Sequence, residues 1–363
     1  MIIHAEHYKG YALMKRIFAS LAVCAAATAL TATSAFAAEN ITGAGATFPY
    51  PIYAKWAQSY NKETGAQLNY QSIGSGGGIK QITAKTVDFG ASDKPLTAKV
   101  LEEKGMMQFP MVMGGIVPII NVDGIKPGEL VLDGKTIANI FLGKIKKWDD
   151  AEIKALNPSV SLPNKRISVV HRADGSGTTF NFTYYLADIS PEWKKNVGVD
   201  ASVQWPVGTG GKGNQGVANY VSQLKNSIGY VEYAYALQNN LTYSKMKNKE
   251  GRTVSPTMEA FQAAAAGADW KHADGFYLIL ANQPGAESWP MTAATFILLH
   301  KKVEDPAAIK SVLNFFDWAY KNGDAEAEEL HYVPFPGSVK SLVRDTWAKE
   351  LKTADGKSVY MGS

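Results

Sequence analysis

One polar loop of this sequence reads His171-Arg172-Ala173-Asp174-Gly175-Ser176-Gly177-Thr178-Thr179. An apolar, β-branched run at residues 166–170 precedes it, and residues 178–186 follow it with the composition of a helix. This order predicts a strand, a short turn and a helix that begins near Ser176. Because the first amides of a helix have no partner within it, we expect those of Ser176, Gly177 and Thr178 to be free donors.

The same loop has the composition of an anion-binding site. The positive end of the helix dipole and its free amides favour a negatively charged ligand. Arg172 adds a planar guanidinium whose donors match a tetrahedral oxyanion, and the hydroxyls of Ser176 and Thr178 add further donors. An ordinary capped turn between a strand and a helix would also read this way, so the loop must be judged with the rest of the chain.

The first residues of the chain have the pattern of a secretory signal peptide. Lys15 and Arg16 precede an apolar run at residues 17–30, and Ala35-Phe36-Ala37 forms a cleavage site with small residues. We therefore predict that residues 1–37 are a signal peptide with an N-terminal extension, and that the mature protein is exported to the periplasm.

Two points in this leader stay open. Translation starts at Met1 or at Met14, and the sequence alone does not decide between them. Cys24 loosely fits a lipoprotein signal, but it lies inside the apolar run and upstream of the better cleavage site. Cys24 is also the one cysteine of the sequence, so the predicted mature chain has no disulfide, no thiolate metal site and no cysteine nucleophile.

The charge of the chain argues against a nucleic-acid partner. The net charge is +4, and it falls to +2 when the leader, with Lys9, Lys15 and Arg16 against Glu6, is removed. No basic stripe or RNA-binding signature accompanies this small excess. We therefore expect no nucleic-acid partner.

Three other segments place small or polar residues between a predicted strand and a predicted helix. Thr47 follows a Gly/Ala turn and is a candidate helix N-cap. Ser75 lies in the glycine run of residues 74–78, which would let backbone approach a ligand closely. Asp93 comes at the end of a strand, where ligands bind in open α/β sheets; the alternative is that it caps the helix that follows.

Two glycine patterns fail the tests for nucleotide binding. Gly43 and Gly45 lack the third glycine and the acidic residue of a dinucleotide site. Residues 208–215 resemble a P-loop, but Pro206 replaces its first glycine and Gly213 its final Ser or Thr. We interpret residues 208–214 as a third glycine-rich loop near the mouth of a predicted ligand-binding cleft. Whether this loop contacts the ligand stays open.

Two long apolar runs predict how the domains connect. Residues 110–121, with a glycine pair at Gly114 and Gly115, and residues 290–300 have the composition of buried strands. Such strands are expected where a chain leaves one domain and returns to it. We therefore predict two lobes, lobe I from residues 38–113 plus 288–363 and lobe II from residues 114–287.

Taken together, these motifs resemble the periplasmic phosphate-binding proteins of the bacterial phosphate-specific ABC transporters. The resemblance covers nearly all of the predicted mature chain. It includes residues 42–49, 131–135, 144–149 and 228–235 in addition to the loop at Arg172. Matches of this length are far more specific than any single glycine pattern.

The resemblance implies an α/β fold, a two-lobed type II periplasmic binding protein whose lobes are sheets flanked by helices, with two crossover strands as a hinge. It also implies a monomeric, non-catalytic protein without metal or cofactor. Its partners would be inorganic phosphate and the permease subunits of an ABC importer in the inner membrane. The implied phosphate contacts are Thr47, Phe48, Ser75, Asp93, Arg172, Ser176, Gly177 and Thr178, with Asp174 holding the arginine in place.

Two alternatives follow from the chemistry of the same residues. A secreted phosphatase would need a nucleophile, but the loop lacks the G-x-S-x-G pattern of a nucleophile elbow. His171 and Arg172 are also adjacent on a strand, so they face opposite ways. A binding protein for sulfate or molybdate is the second alternative; Asp93 argues against it because a carboxylate repels an anion that carries no proton.

Overall fold

The computed structural model describes residues 40–360. The predicted signal peptide, its cleavage site, the two candidate start sites and Cys24 lie outside the described residues. Within the described residues, no helix is long and apolar enough to cross a membrane.

Short strands and helices alternate along much of the chain. The strands are β1 (Asn40–Gly45), β2 (Gln67–Ser72), β3 (Phe89–Ser92), β4 (Met106–Asn121), β5 (Val131–Leu132), β6 (Ser168–Arg172), β7 (Thr209–Gly211), β8 (Ser227–Glu232), β9 (Thr242–Tyr243), β10 (Lys245–Lys247), β11 (Thr253–Val254) and β12 (Thr292–His300). The helices are α1 (Tyr50–Thr64), α2 (Ser75–Thr83), α3 (Ala98–Glu103), α4 (Gly134–Phe141), α5 (Ala151–Leu156), α6 (Gly177–Ile189), α7 (Pro191–Asn196), α8 (Gly213–Gln223), α9 (Tyr233–Gln238), α10 (Met258–Ala265), α11 (Pro306–Asn322), α12 (Asp324–Glu329) and α13 (Gly337–Glu350), with a 3₁₀ turn at Asp274–Phe276.

The main sheet has nine strands in the order β2-β1-β3-β12-β4-β8-β6-β7, and β9 pairs with β4. Strand β1 runs parallel to β2 and β3, and β6 runs parallel to β7 and β8. Strands β12 and β8 run antiparallel to β4. Strands β5, β10 and β11 form a small separate sheet. This mixed sheet with helices packed on it confirms the predicted α/β fold class.

The long strand β4 changes partner at its middle. Residues 106–115 pair with β12, and residues 116–121 pair with β8. The predicted glycine pair lies at this exchange. A Cβ atom on Gly115 would lie 2.1 Å from the Phe261 ring, so α10 can pack here only against a residue without a side chain.

Local sequence accounts for most of the element boundaries. Ser176 caps α6, because its hydroxyl accepts the Thr179 amide at 3.0 Å, as its place before the helix predicts. Neither the candidate cap Thr47 nor Asp93, for which capping was the alternative interpretation, caps a helix. Helix α1 has Pro49 rather than Thr47 at its N-cap, and α3 is capped by Thr97 rather than Asp93. Both predicted residues are instead held in contacts that the local sequence does not reveal.

Buried aromatic rings pack helices against the sheet at two places along it. Near β3, the Phe316 ring packs edge-to-face on Phe89 with centroids 5.0 Å apart. Near β6, Phe182 of α6 stacks on Tyr230 of β8 at 4.0 Å. Offset and edge-to-face contacts are the favoured arrangements of such rings. They fix α6, and therefore the loop that precedes it, against the strands.

Candidate anion-binding site

Four segments meet where the strands of the sheet end. They are the turn between β1 and α1, the start of α2, the residues after β3, and the loop between β6 and α6. The predicted site residues on these segments are all buried, and none of the polar or charged ones is more than 6 % exposed. The members of this group are Thr47, Phe48, Ser75, Asp93, Arg172, Ser176, Gly177 and Thr178.

Arg172 is held by a two-pronged ion pair with Asp174. Its Nε and Nη2 atoms lie 2.8 and 2.6 Å from the two carboxylate oxygens. Burial alone would raise the pKa of Asp174. The hydrogen bonds and charge of Arg172 and the hydrogen bond from the Gly213 amide outweigh burial, so the pKa of Asp174 lies below its usual value. Asp174 therefore stays ionised and fixes the orientation of the guanidinium. Nη1 of Arg172 is buried and has no hydrogen-bond partner among residues 40–360.

Ser75 connects the segments around the site. Its hydroxyl oxygen accepts hydrogen bonds from the Asp93 amide at 3.1 Å and the Gly177 amide at 3.0 Å. The hydroxyl also lies 3.5 Å from Oδ2 of Asp93, a long contact. Next to it, the Gly76 amide donates to the Gly175 carbonyl at 2.8 Å. The start of α2 and the start of α6 are thus in direct contact.

The Thr47–Phe48 turn is held by residues far away in sequence. Asn214 donates to Oγ1 of Thr47 from its backbone amide at 3.1 Å and from its side chain at 2.8 Å. Tyr235 donates to the Thr47 carbonyl at 2.6 Å, and Tyr332 lies 2.6 Å from the Phe48 carbonyl. These contacts explain why Thr47 does not cap α1.

Besides that of Ser75, three hydroxyls at the site accept hydrogen bonds from the protein. Oγ1 of Thr47 and Oγ1 of Thr178 both accept from Asn214, the second at 3.4 Å, and Oγ of Ser176 accepts from Thr179. A hydroxyl has one hydrogen to donate. Because these oxygens already act as acceptors, each hydrogen is available to a further acceptor, which suits an oxyanion.

The expectation that three amides at the start of α6 are free needs correction. The Ser176 amide donates to the Ala201 carbonyl at 2.9 Å, because the loop after α7 folds back over the start of α6. The Gly177 amide donates to Oγ of Ser75. The hydroxyls and Arg172 therefore form a larger part of the donor set than the sequence indicates.

Asp93 is the unusual acid of this site. It is 1 % exposed, and its Oδ1 atom has no hydrogen-bond partner within the described residues. Burial raises the pKa of Asp93 to about 7, although the charge of Arg172 and the Ser75 hydroxyl each lower it. A buried carboxyl with a pKa near neutrality can accept a proton from, or share one with, a neighbouring group.

Sequence reasoning missed part of the site. It left open whether the loop at residues 208–214 contacts ligand, and it did not predict that Asn214 contacts both Thr47 and Thr178. It gave no sign of Asn181, which donates to the Asp93 carbonyl at 2.8 Å. A polar residue at the first turn of a helix after a glycine-rich loop was the available signal for Asn214.

The structure offers no catalytic triad at this loop. The His171 ring stacks on Trp205 at 4.7 Å, and its Nδ1 lies 3.0 Å from the Arg172 carbonyl. Oγ of Ser176 is engaged by the Thr179 amide instead of a histidine. Among the described residues, no group of three or more His, Cys, Asp or Glu side chains is arranged to hold a metal ion.

Known proteins resemble this chain over most of its length. The PBP superfamily domain matches residues 30–322. The phosphate-binding protein PstS of Haemophilus influenzae is 58 % identical over 315 residues, which are 87 % of this chain and 94 % of that protein. The phosphate-binding protein PstS of Pasteurella multocida is 56 % identical over 323 residues, which are 89 % of this chain and 94 % of that protein.

A solved structure shares the fold at much lower identity. It is described as a high affinity periplasmic phosphate-binding protein bound with phosphate at pH 8.5, and it matches with a TM-score of 0.69 and 20 % identity over 86 % of this chain and 95 % of its own. The relatives are binding proteins, which confirms the prediction that the chain is not an enzyme. The chain therefore belongs to the PBP superfamily and, within it, to the family of the phosphate-binding PstS proteins.

Proposed function

We propose that this protein binds inorganic phosphate at the site of Arg172 and Asp93 and delivers it to an ABC importer. One observation carries the proposal. Nη1 of Arg172 and Oδ1 of Asp93 are both buried and both without a partner within residues 40–360. A ligand that satisfies both must accept a hydrogen bond from arginine and donate one to a carboxylate.

Hydrogen phosphate has both properties at neutral pH. Its unprotonated oxygens accept from Arg172 and from the hydroxyls of Thr47, Ser176 and Thr178, and its remaining proton is donated to Asp93. Sulfate carries no proton at this pH, so its lone pairs would face those of Asp93. When the wrong ligand leaves a buried polar group of the site unpaired, the site can prefer the right ligand by a factor of about 10⁴ or more.

Isothermal titration with phosphate and with sulfate tests the proposal. The protein is first unfolded and refolded in phosphate-free buffer to remove any ligand acquired during preparation. We expect tight binding of phosphate and no measurable heat with sulfate at the same concentration and ionic strength. Comparable affinities for the two anions would contradict both the substrate and the role of Asp93.

We further propose that phosphate binding closes two lobes, residues 38–113 with 288–363 against residues 114–287. Several polar contacts between these parts support a closed arrangement, including those of Ser75 with Gly177 and Thr47 with Asn214. At the rim, Lys94 and Asp200 form an ion pair at 2.6 Å. A smaller radius of gyration in small-angle scattering with phosphate than without it is the expected result. An unchanged radius in a verified ligand-free sample would contradict closure.

Delivery to a permease requires export. We propose cleavage after Ala37, a soluble mature protein in the periplasm and a monomeric state. The intact mass of protein purified from the periplasm should correspond to a chain that begins at Ala38, and light scattering should give the mass of one chain. A lipid-modified Cys24 would contradict the cleavage site and the soluble state.

A further inference from the structure

A second buried acid, Glu232, lies next to the phosphate site. It is the last residue of β8 and pairs with Ile116 of β4, directly after the point where β4 changes partner. Its side chain is fully buried. A Cβ atom on Gly114 would lie 3.3 Å from its Oε1, so the glycine pair leaves the space that this carboxyl occupies.

We propose that Glu232 is protonated and that, through Tyr332, it positions the Thr47–Phe48 turn for phosphate binding. The proposal rests on phosphate being the ligand of the site, but the protonation of Glu232 can be measured without any ligand.

The argument starts from the single hydrogen of a tyrosine hydroxyl. The Tyr332 oxygen lies 2.6 Å from the Phe48 carbonyl oxygen and 2.8 Å from Oε2 of Glu232. A carbonyl oxygen can only accept, so the Tyr332 hydrogen is needed for Phe48. The contact with Glu232 then requires a hydrogen on the carboxyl group. With an ionised Glu232, one of these two short oxygen–oxygen contacts would have no hydrogen between its atoms.

The surroundings of Glu232 also disfavour a negative charge. Within residues 40–360 it has no ion pair with any lysine, arginine or histidine, and its Oε1 has no hydrogen-bond partner. The titratable groups that interact electrostatically with Glu232 are Asp93 after β3, Tyr233 and Tyr235 of α9, and Tyr332. None of these is a cation. Burial, reinforced by the charge of Asp93, raises the pKa of Glu232 to about 8, although hydrogen bonds from the Ala234 and Tyr233 amides lower it.

A neutral Glu232 has two consequences for the anion site. It removes a negative charge that would repel both Asp93 and the ligand. It also fixes Tyr332, which holds the Phe48 carbonyl, while the backbone amide of Glu232 donates to Oδ1 of Asn214 at 3.0 Å. Because Asn214 holds the Thr47 hydroxyl, both residues of the turn are positioned from the end of β8.

Infrared spectroscopy tests the protonation directly. Phosphate-free protein at pH 6 should show the carbonyl stretch of a buried carboxylic acid. The part of this band that comes from Glu232 should be missing from Glu232→Gln, where only the Asp93 acid remains, and should persist in Asp93→Asn. The double variant Asp93→Asn/Glu232→Gln should lack the band altogether. A spectrum of Glu232→Gln identical to that of the wild type would overturn the proposal.

Phosphate titrations test the positioning role. Loss of a hydrogen bond that holds the turn should weaken binding by about threefold to tenfold in Tyr332→Phe. Glu232→Gln should bind more tightly than Glu232→Ala, because the amide can still donate to Tyr332. In the double variant Tyr332→Phe/Glu232→Ala we expect a loss smaller than the sum of the two single losses, since both act through one contact. Additive losses would contradict this coupling.

The two proposals fail separately. If wild-type protein does not bind phosphate but the acid band at Glu232 is present, the ligand is wrong and the protonation stands. If phosphate binds and the band is absent, the inference about Glu232 is wrong. Should Glu232→Ala not fold, the infrared comparison with Glu232→Gln still decides.

Discussion

The Ser75 hydroxyl accepts a hydrogen bond from the Gly177 amide at 3.0 Å across a sequence separation of 102 residues. Both residues begin helices, α2 and α6. A contact this short between two helix starts requires that neither residue carries a bulky side chain at the interface. It makes Gly177 a sensitive point for testing closure of the site.

Gly177→Ala should weaken phosphate binding strongly. An added Cβ would lie 2.6 Å from Oγ of Ser75 and 2.6 Å from Cβ of Asp93, so the segments must separate. Gly337→Ala is a matched control, because Gly337 also begins a helix but has no atom within 4 Å of such a Cβ. Titration should show a large loss only for Gly177→Ala. Equal affinities of the two variants would contradict the contact.

Arg172→Ala should raise the phosphate Kd by at least about tenfold, because charge-assisted hydrogen bonds contribute roughly 1.5–3 kcal/mol each. The substitution also leaves Asp174 as an unpaired negative charge beside the anion. Lysine should restore only part of the affinity, since an ammonium cannot form the paired contact. The exposed Arg166→Ala is the control. Wild-type affinity in Arg172→Ala would show that the site lies elsewhere.

Asp93→Asn should lose selectivity more than affinity. The asparagine amide can donate to a sulfate oxygen, so the repulsion that rejects sulfate disappears. Paired titrations of wild type and variant with phosphate and sulfate at fixed ionic strength measure this. Arsenate, which keeps a proton as phosphate does, should bind to the wild type. If sulfate stays excluded from Asp93→Asn, another residue sets the selectivity.

The folded protein should lose stability as the pH rises from about 4 to about 8. In the fold, burial raises the pKa of Asp93 to about 7 and that of Glu232 to about 8, from ordinary values of 3.8 and 4.5. Between these values the folded state holds protons that the unfolded state has released, so deprotonation favours unfolding. Calorimetry in phosphate-free buffer should show a flatter pH dependence for Asp93→Asn/Glu232→Gln. The same slope in both proteins would argue against raised pKa values.

Asn214→Ala should speed the release of phosphate. The Asn214 side chain donates hydrogen bonds to the hydroxyls of Thr47 and Thr178 and accepts one from the Glu232 amide. Each such hydrogen bond contributes about 0.5–1.5 kcal/mol. Stopped-flow measurements should therefore show a higher dissociation rate. Asn219→Ala, an exposed position on the same helix, should leave the rate unchanged. A wild-type rate in Asn214→Ala would remove this residue from the closed site.

The sequence alone determined the order of strands and helices around the site and the identity of its arginine. Strand, turn and helix at residues 168–189 follow from β-branched residues, glycines and a serine cap, which act over a few neighbouring positions. Most of the long buried strand β4 is equally evident, because residues 110–120 are apolar or glycine. Resemblance to a known family then supplied the remaining candidate contacts.

Only the tertiary structure decided what Thr47, Asn214 and Glu232 do. Thr47 has the local sequence of a helix cap, but Asn214 takes its hydroxyl because the fold brings together residues 167 positions apart. Glu232 lies in an apolar and aromatic run of sequence, which is consistent with burial but does not reveal a partner. Its protonation depends on its place at the strand exchange and on a tyrosine 100 residues away, and the neighbouring residues do not encode that contact.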